Sequence, residues 1–569
     1  MPIPQYATFV LHAHLPYVVN HGTWPHGMDW LHEAAAETYL PLLGVLDALE
    51  RSGTPSHFNI NISPVLAEQL AHPAFRAGFP KYLRQKIEAA RLDRREFADG
   101  QEDPHLLEIA AYWEDFYSRT LQRWDDASGD LIAAFRRHYD RGAIEIITCG
   151  ATHGYFPLLG TDAAIRAQVS TAVATHRRHF GRPPRGIWLP ECAYRPRGMW
   201  TPPVGAQLVG EGSPFLRAGV EEILQANGLE FFFVDTHLVE RHIRFSPYAT
   251  AGEAPVQLEA ETTARPSLYR PALVDTPGAG VSRVSAFPRD PRTGLQVWSG
   301  DHGYPGDGVY LDFHKKRWPG GLRYWQVTHP RIDLGQKTMY YPERADQRAN
   351  DHARHFAQLC GAVLDFNLPA IAGGHDHRPP ILTAAFDAEL FGHWWFEGPQ
   401  WLQHVAEQLA RPESPVTLTS AAGYLDRYAT FDRIQMPEGS WGSGGGHQVW
   451  LNPDTAYTWE KIYPAERRLQ QLVTEPKLAS GEGARFLKQL CREMLLLESS
   501  DWQFLITTQH ARDYAEKRFA EHEHDFALLA GACEKLAAGA PVPPAEIAAI
   551  GEIEERDGLF PDIQPAAWR

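Results

Sequence analysis

Eight short runs of β-branched and aromatic residues recur along the 569-residue chain, and each ends in a polar cluster. They are YATFVLHAH (6–14), HFNINIS (57–63), AIEIITCGATH (143–153), GIWLPE (186–191), LEFFFVDTH (229–237), VSAFPRD (284–290), LQVWSGDH (295–302) and ILTAAFDAE (381–389). Short, continuous apolar runs of this kind are strands buried on both faces. Between them lie helical patterns such as AAIRAQVSTAVATHRRHF (163–180) and PFLRAGVEEILQANG (214–228). Strand and helix alternating so often means an α/β barrel or a doubly wound sheet. The polar residues gather at the carboxyl ends of the runs, where a parallel barrel builds its active site, and this favours the barrel. No glycine-rich phosphate loop follows a strand, so the nucleotide-binding alternative lacks its cradle.

Three stretches exceed a bare barrel. Residues 66–141 are charged and helical and predict an inserted helical subdomain. Residues 238–283 are rich in Pro, Gly, Ala and Thr without periodicity and predict a long surface excursion. From 401 to 569 the pattern is helical, so the chain divides into a catalytic unit over 1–400 and a C-terminal α-helical domain. Fifty-four Lys and Arg against 70 Asp and Glu give a net charge of −16, which repels a phosphate backbone and excludes nucleic acid as a partner. Five scattered cysteines with no C-x-x-C pair suggest neither a disulfide framework nor a cysteine zinc site. The N-terminal apolar run is broken by His12 and His14 and lacks a basic start, so it reads as a strand and not a signal peptide. No stretch reaches the ~18 apolar residues a membrane helix needs. A cytoplasmic protein without membrane attachment is expected.

Glu191 ends one run and Asp387 another, each among aromatic residues. Two carboxyls on different strands of one barrel are the minimum for glycoside hydrolysis or transglycosylation. Glu191 suits a nucleophile unless Arg195 or Arg197 holds it in an ion pair. Aromatic neighbours would exclude water from Asp387, raise its pKa and suit it to a general acid, with Glu389 and His393 as competitors. His12 and His14 point the same way, because strand side chains repeat every two residues. They could be metal ligands, completed by His153, Asp235 or His237, or donors to sugar hydroxyls, and spacing alone leaves both open. The 17 Trp residues are the other conspicuous feature. Trp30, Trp298, Trp441, Trp450 and Trp502 lie in polar or glycine-rich segments and could stack on sugar rings, whereas Trp394, in an HWWF run that starts a helix, reads as core.

Taken together, HAHLPY (12–17), ATHGYFPLL (151–159), WLPECAY (188–194), FDAELFGHWWFEG (386–398) and GSWGSGGGHQVWLN (439–452) resemble the sequence regions of glycoside hydrolase family 57, and within it the α-1,4-glucan branching enzymes. VWSGDHGYPGDG (297–308) and SSDWQFLI (499–506) extend the resemblance over nearly the whole chain. It implies a (β/α)7 barrel, an incomplete TIM-like barrel, with a helical domain closing the cleft. It also implies a retaining transglycosylase, in which Glu191 attacks the anomeric carbon of an α-1,4-glucan and Asp387 is the general acid and base. Transfer of the chain to a 6-hydroxyl then makes an α-1,6 branch. His12, His14, His153 and Asp501 would line the donor subsite, and Trp30, Trp298, Trp441 and Trp450 the glucan path. No metal or organic cofactor is implied, and the partner is an α-1,4-glucan such as amylose, glycogen or starch; a monomer or weak homo-oligomer is expected. The branching enzymes carry a loop tyrosine over the site; here residues 238–283 diverge, and Tyr248 is preferred to Tyr269, which precedes a strand-like RPALV. A family 57 α-amylase or 4-α-glucanotransferase is the near alternative, and a metal-dependent deacetylase or mannosidase built on His12 and His14 the distant one.

Overall fold

The computed structural model describes residues 3–205, 214–239, 267–300, 302–371, 378–430 and 432–569. Seven strands carry the architecture: β1 (Gln5–Ala13), β2 (Asn59–Ile62), β3 (Glu145–Ile147), β4 (Gly186–Ile187), β5 (Phe231–Val234), β6 (Gly280–Pro288) and β7 (Ile381–Asp387). Parallel pairing runs from β1 to β2 and from β2 to β3, then through the single bridge Thr148–Ile187 to β4. It continues from β4 to β5 and β6, crosses the bridge Arg289–Thr383 to β7, and returns to β1 with His12 opposite Asp387.

Side-chain alternation sorts each strand between two cores. Phe231 and Phe233 join Tyr6, Val10, Ile147, Phe287 and Ala385 in one buried cluster, while Phe232 and Val234 join the larger core formed with the helices. The helices start where the sequence supplies caps. Thr161 accepts from the Ala164 N–H and opens Asp162–Phe180, which ends at Gly181 with φ 79°. Between β2 and β3 lie four helices, Pro64–Ala71, Pro73–Asp99, Pro104–Asp126 and Leu131–Asp140, three of them opened by proline, whose missing N–H costs nothing in the first turn. Among the described residues no helix is long and apolar enough to cross a membrane.

Four expectations change. LQVWSGDH is not a strand, because Asp290 accepts from the Thr293 N–H and Pro291 opens a helix, Pro291–Trp298. The excursion over 238–283 is partly regular, since Ala272–Thr276 and β6 form an antiparallel hairpin. The stretch after 400 is not helical throughout: Val416–Leu418 pairs with β1, and Arg433–Ile434 pairs with Ala272–Thr276. The uninterrupted helical run begins only at Ala456 and comprises Ala456–Leu472, Gly481–Leu497, Asp501–Thr508, Arg512–Ala538 and Pro544–Arg556. The HWWF run starts no helix either; Gly398–Leu409 begins beyond it.

The late helices are tied to the strand ends. The Ser500 N–H donates to the His153 carbonyl at 3.2 Å, Gly154 bridges Ser499, and Arg518 donates to the Tyr17 carbonyl at 2.6 Å. Residues near 500 thereby face the loops after β1 and β3.

Candidate active site

Past β4 the chain turns abruptly. Glu191 and Cys192 have φ of 59° and 52°, and His153, beyond β3, has φ of 63°. Non-glycine residues held there cost on the order of 1–3 kcal/mol each, so surrounding contacts must fix them. For Glu191 the hydrogen bonds among the described residues come from one distant residue, and His153 Nδ1 lies 3.8 Å from its Oε1. The Trp441 backbone N–H donates to the Glu191 carbonyl at 3.1 Å, and its indole N–H donates to Glu191 Oε2 at 2.9 Å. Neither arginine near Glu191 in sequence competes, since Arg195 lies 3.5 Å from Asp162 and Arg197 lies 2.9 Å from Glu222.

The histidines form a stack. The His14 and His153 rings lie 4.0 Å apart, and those of His12 and His153 5.1 Å apart. Every ring is oriented by a polar neighbour: His12 Nδ1 by Asn61 at 2.6 Å, His14 Nδ1 by Ser63 at 2.9 Å, and His153 Nδ1 by Ser500 at 2.9 Å. Asp501 closes the set, its carboxylate 3.0 Å from His14 Nε2. His14, His153 and Asp501 bring one ligand atom each within 4.8 Å of one another, close enough for a metal ion.

Glu191, Asp387, His12, His14, His153, Asp501, Trp30, Trp298, Trp441 and Trp450 all border one cavity of about 940 Å³. Tyr248 lies outside the described residues, and Tyr269 is buried, its hydroxyl donating to Asp290 Oδ1 at 3.0 Å. Trp450 borders the cavity but is 1% exposed and stacks on Tyr155 at 4.3 Å, so it supports the wall instead of offering a free ring face. Trp502 is wholly buried inside Asp501–Thr508. Trp394, read from sequence as core, is 45% exposed and borders the cavity, because Gly392 (φ 112°) turns the chain out of the β7 loop. Sequence reasoning also passed over Arg289 and Phe504, which line the same space. Arg289 sits directly after β6, and that strand-end position was the available signal.

Burial dominates the electrostatics. It pushes Glu191 up to about 8, with Asp387 adding to the rise and the Trp441 hydrogen bond opposing it. Asp387 is raised well above the usual carboxylate range by burial and then by Glu389, while Arg289 pulls it back. Glu389, the rival acid, is committed elsewhere: it accepts from the Tyr39 hydroxyl at 2.5 Å and the His14 N–H at 3.1 Å. His393, the other rival, lies 3.3 Å from Glu37 Oε2. Burial also holds His12 down near 3 and His153 well below its ordinary value, so both rings are neutral at pH 7. The site therefore presents two buried carboxyls whose ionisation is resisted, the neutral imidazoles of His12 and His153, and aromatic faces.

The sequence profile of glycosyl hydrolase family 57 matches residues 8–437. The chain belongs to this family. A second profile, that of the C-terminal region of 1,4-alpha-glucan branching enzymes, matches residues 461–568. The family 57 chain is 39% identical to the 1,4-alpha-glucan branching enzyme of Thermococcus kodakarensis over 98% of its own length and 77% of that protein's. The crystal structure of the family 57 branching enzyme of Pyrococcus horikoshii superposes with a TM-score of 0.87 at 38% identity, covering 99% of this chain and 96% of that one. The α-amylase AmyC of Thermotoga maritima superposes with a TM-score of 0.80 at 27% identity, covering 99% of both chains.

Proposed function

We propose that this family 57 chain is a 1,4-alpha-glucan branching enzyme that cleaves an α-1,4 linkage with retention and transfers the freed chain to a 6-hydroxyl. The observation that carries the reading is the unequal treatment of two carboxyls in one aromatic-walled cavity. Glu191 accepts the Trp441 indole N–H, which favours its charged form, while no hydrogen bond reaches the Asp387 carboxyl among the described residues. The proton that the pair keeps once the first has left therefore belongs on Asp387. Asp387 gives it to the glycosidic oxygen as the C–O bond breaks, and Glu191 bonds to the anomeric carbon. In the second half Asp387 takes the proton of the acceptor 6-hydroxyl as that oxygen displaces Glu191.

His12, His14, His153 and Asp501 hold the donor sugar through hydroxyl contacts, and Trp30, Trp298 and Trp441 support the chain by stacking, with Trp450 beneath them. The seven parallel strands are read as a (β/α)7 barrel carrying the helices of 64–140 as an insertion. The barrel unit extends to about residue 434, and the helices from Ala456 onward form the domain that covers the cleft. The C-terminal profile match favours branching over the α-amylase reading. All five cysteines are free and buried, which fits a cytoplasmic enzyme of glycogen-type polymer synthesis.

The test is incubation with amylose followed by proton NMR and debranching. New α-1,6 linkages are expected; reducing ends without branches would make the chain an amylase instead. Retention further requires carboxyl oxygens of Glu191 and Asp387 about 5–5.5 Å apart in a crystal structure, whereas ~6.5–9.5 Å would indicate inversion.

A further inference from the structure

We propose that Arg289 is the fixed cation of this active site: anchored by Asp235 and seated beside Trp441, it supports Asp387 through both halves of the reaction and steadies the indole that bonds Glu191. The inference rests on the reading of Glu191 and Asp387 as the working pair.

The backbone of Arg289 is pinned from both sides. Its N–H donates to the Val234 carbonyl at 2.9 Å, its carbonyl accepts from the Thr236 hydroxyl at 2.8 Å, and the residue bridges Thr383 on β7. Its guanidinium donates to Asp235 Oδ2 at 2.8 Å, and Asp235 is itself fixed by accepting the Thr236 N–H at 2.6 Å. The same guanidinium lies 5.5 Å from the Trp441 ring centroid, and the Trp441 indole N–H reaches Glu191. Arg289 Nε is buried and makes no hydrogen bond among the described residues. One side chain thus joins the loops after β5 and β6 to the glycine-rich loop, inside the cavity that holds both carboxyls.

The surrounding charges define its task. Asp387 is faced by Glu389 on its own loop, Arg289 beyond β6, Glu191 beyond β4 and His12 opposite it on β1. Among these Arg289 is the permanent cation, because His12 stays neutral. When Asp387 has given its proton to the glycosidic oxygen, two negative carboxyls would otherwise lie in a desolvated cavity, except that Glu191 is then consumed in the covalent bond. Arg289 stabilises the remaining Asp387 carboxylate until the proton of the 6-hydroxyl returns to it. Asp235 moderates this, since its own charge offsets part of the guanidinium field. Arg289 is a positioning residue: it acts through Asp387 and Trp441.

The two members of the ion pair therefore shift the acid in opposite directions. In kcat/KM against pH on amylose, the basic limb reports loss of the Asp387 proton. Arg289→Gln is expected to move that limb up by about one pH unit and to lower kcat roughly 10- to 100-fold. Asp235→Asn, which keeps the guanidinium and removes its counter-charge, is expected to move the limb down. Arg289→Lys keeps a cation and is expected to restore most of the profile. Unmoved limbs in both variants, or limbs that move the same way, would overturn the proposal. Asp235→Asn gives an answer even where Arg289→Gln does not fold. Azide rescue of Asp387→Ala on an aryl α-maltooligoside checks the assignment of Asp387 separately: rescue with unmoved limbs sinks only the role of Arg289, and absent rescue sinks the reading beneath it.

Discussion

The turn after β4 and the end of β7 each deliver a carboxyl to the same cavity, but they hold it by different means. Glu191 sits on a left-handed turn and is gripped at backbone and side chain by one tryptophan. Asp387 continues a regular strand, and its neighbours Glu389 and Arg289 act on it only through charge. Burial raises both groups, but a hydrogen bond holds Glu191 in place and favours its ionised form, while a nearby anion adds to the rise of Asp387. In the proposed mechanism a nucleophile and an acid thus arise from the same functional group through different surroundings.

Substitutions should expose that difference. Glu191→Gln removes the proposed attacking oxygen, and turnover of amylose is expected to fall on the order of 10⁴- to 10⁶-fold while glucan binding, followed by calorimetry, survives. Asp387→Asn is expected to cost about 10²- to 10⁴-fold, less with an aryl leaving group that needs no protonation. A loss independent of the leaving group would remove Asp387 as the acid. Trp441→Phe keeps a ring but deletes the N–H to Glu191. It is expected to cost roughly 10- to 100-fold in kcat/KM, since a hydrogen bond to a charged group is worth about 1.5–3 kcal/mol. Its pH profile carries the sign: without that bond Glu191 rises further, so the acid limb moves to higher pH, and an acid limb left in place would separate Trp441 from the nucleophile. The smallest catalytic effect separates two tryptophans. Trp394→Ala is expected to raise KM for long glucans with little change in thermal midpoint, whereas Trp450→Ala is expected to cost about 3–5 kcal/mol of stability in denaturant unfolding. Equal stability losses would erase the distinction between surface and wall.

Much of this was legible in order along the chain. Polar residues ending apolar runs marked the carboxyl ends of parallel strands, and His12, His14, His153, Glu191 and Asp387 were found on that signal alone. A strand's period of two also made the shared face of His12 and His14 predictable. The misreadings came where local signals conflict. LQVWSGDH has the apolar content of a strand, yet the cap at Asp290 and Pro291 make it a helix. Val416–Leu418 and Arg433–Ile434 are too short to stand out among helical patterns, and long-range pairing alone makes them strands.

The sequence by itself determined the alternation of strand and helix, the two carboxyls at strand ends and the family to which the chain belongs, because those rest on periodicity and on short contiguous motifs. Tertiary structure decided which tryptophan offers a surface and which is walled in, that Trp441 bonds a glutamate 250 positions away, and that Arg289, paired with Asp235, stands beside Trp441. Such relations depend on the direction in which loop side chains point and on what lies opposite, and neither periodicity nor spacing encodes them.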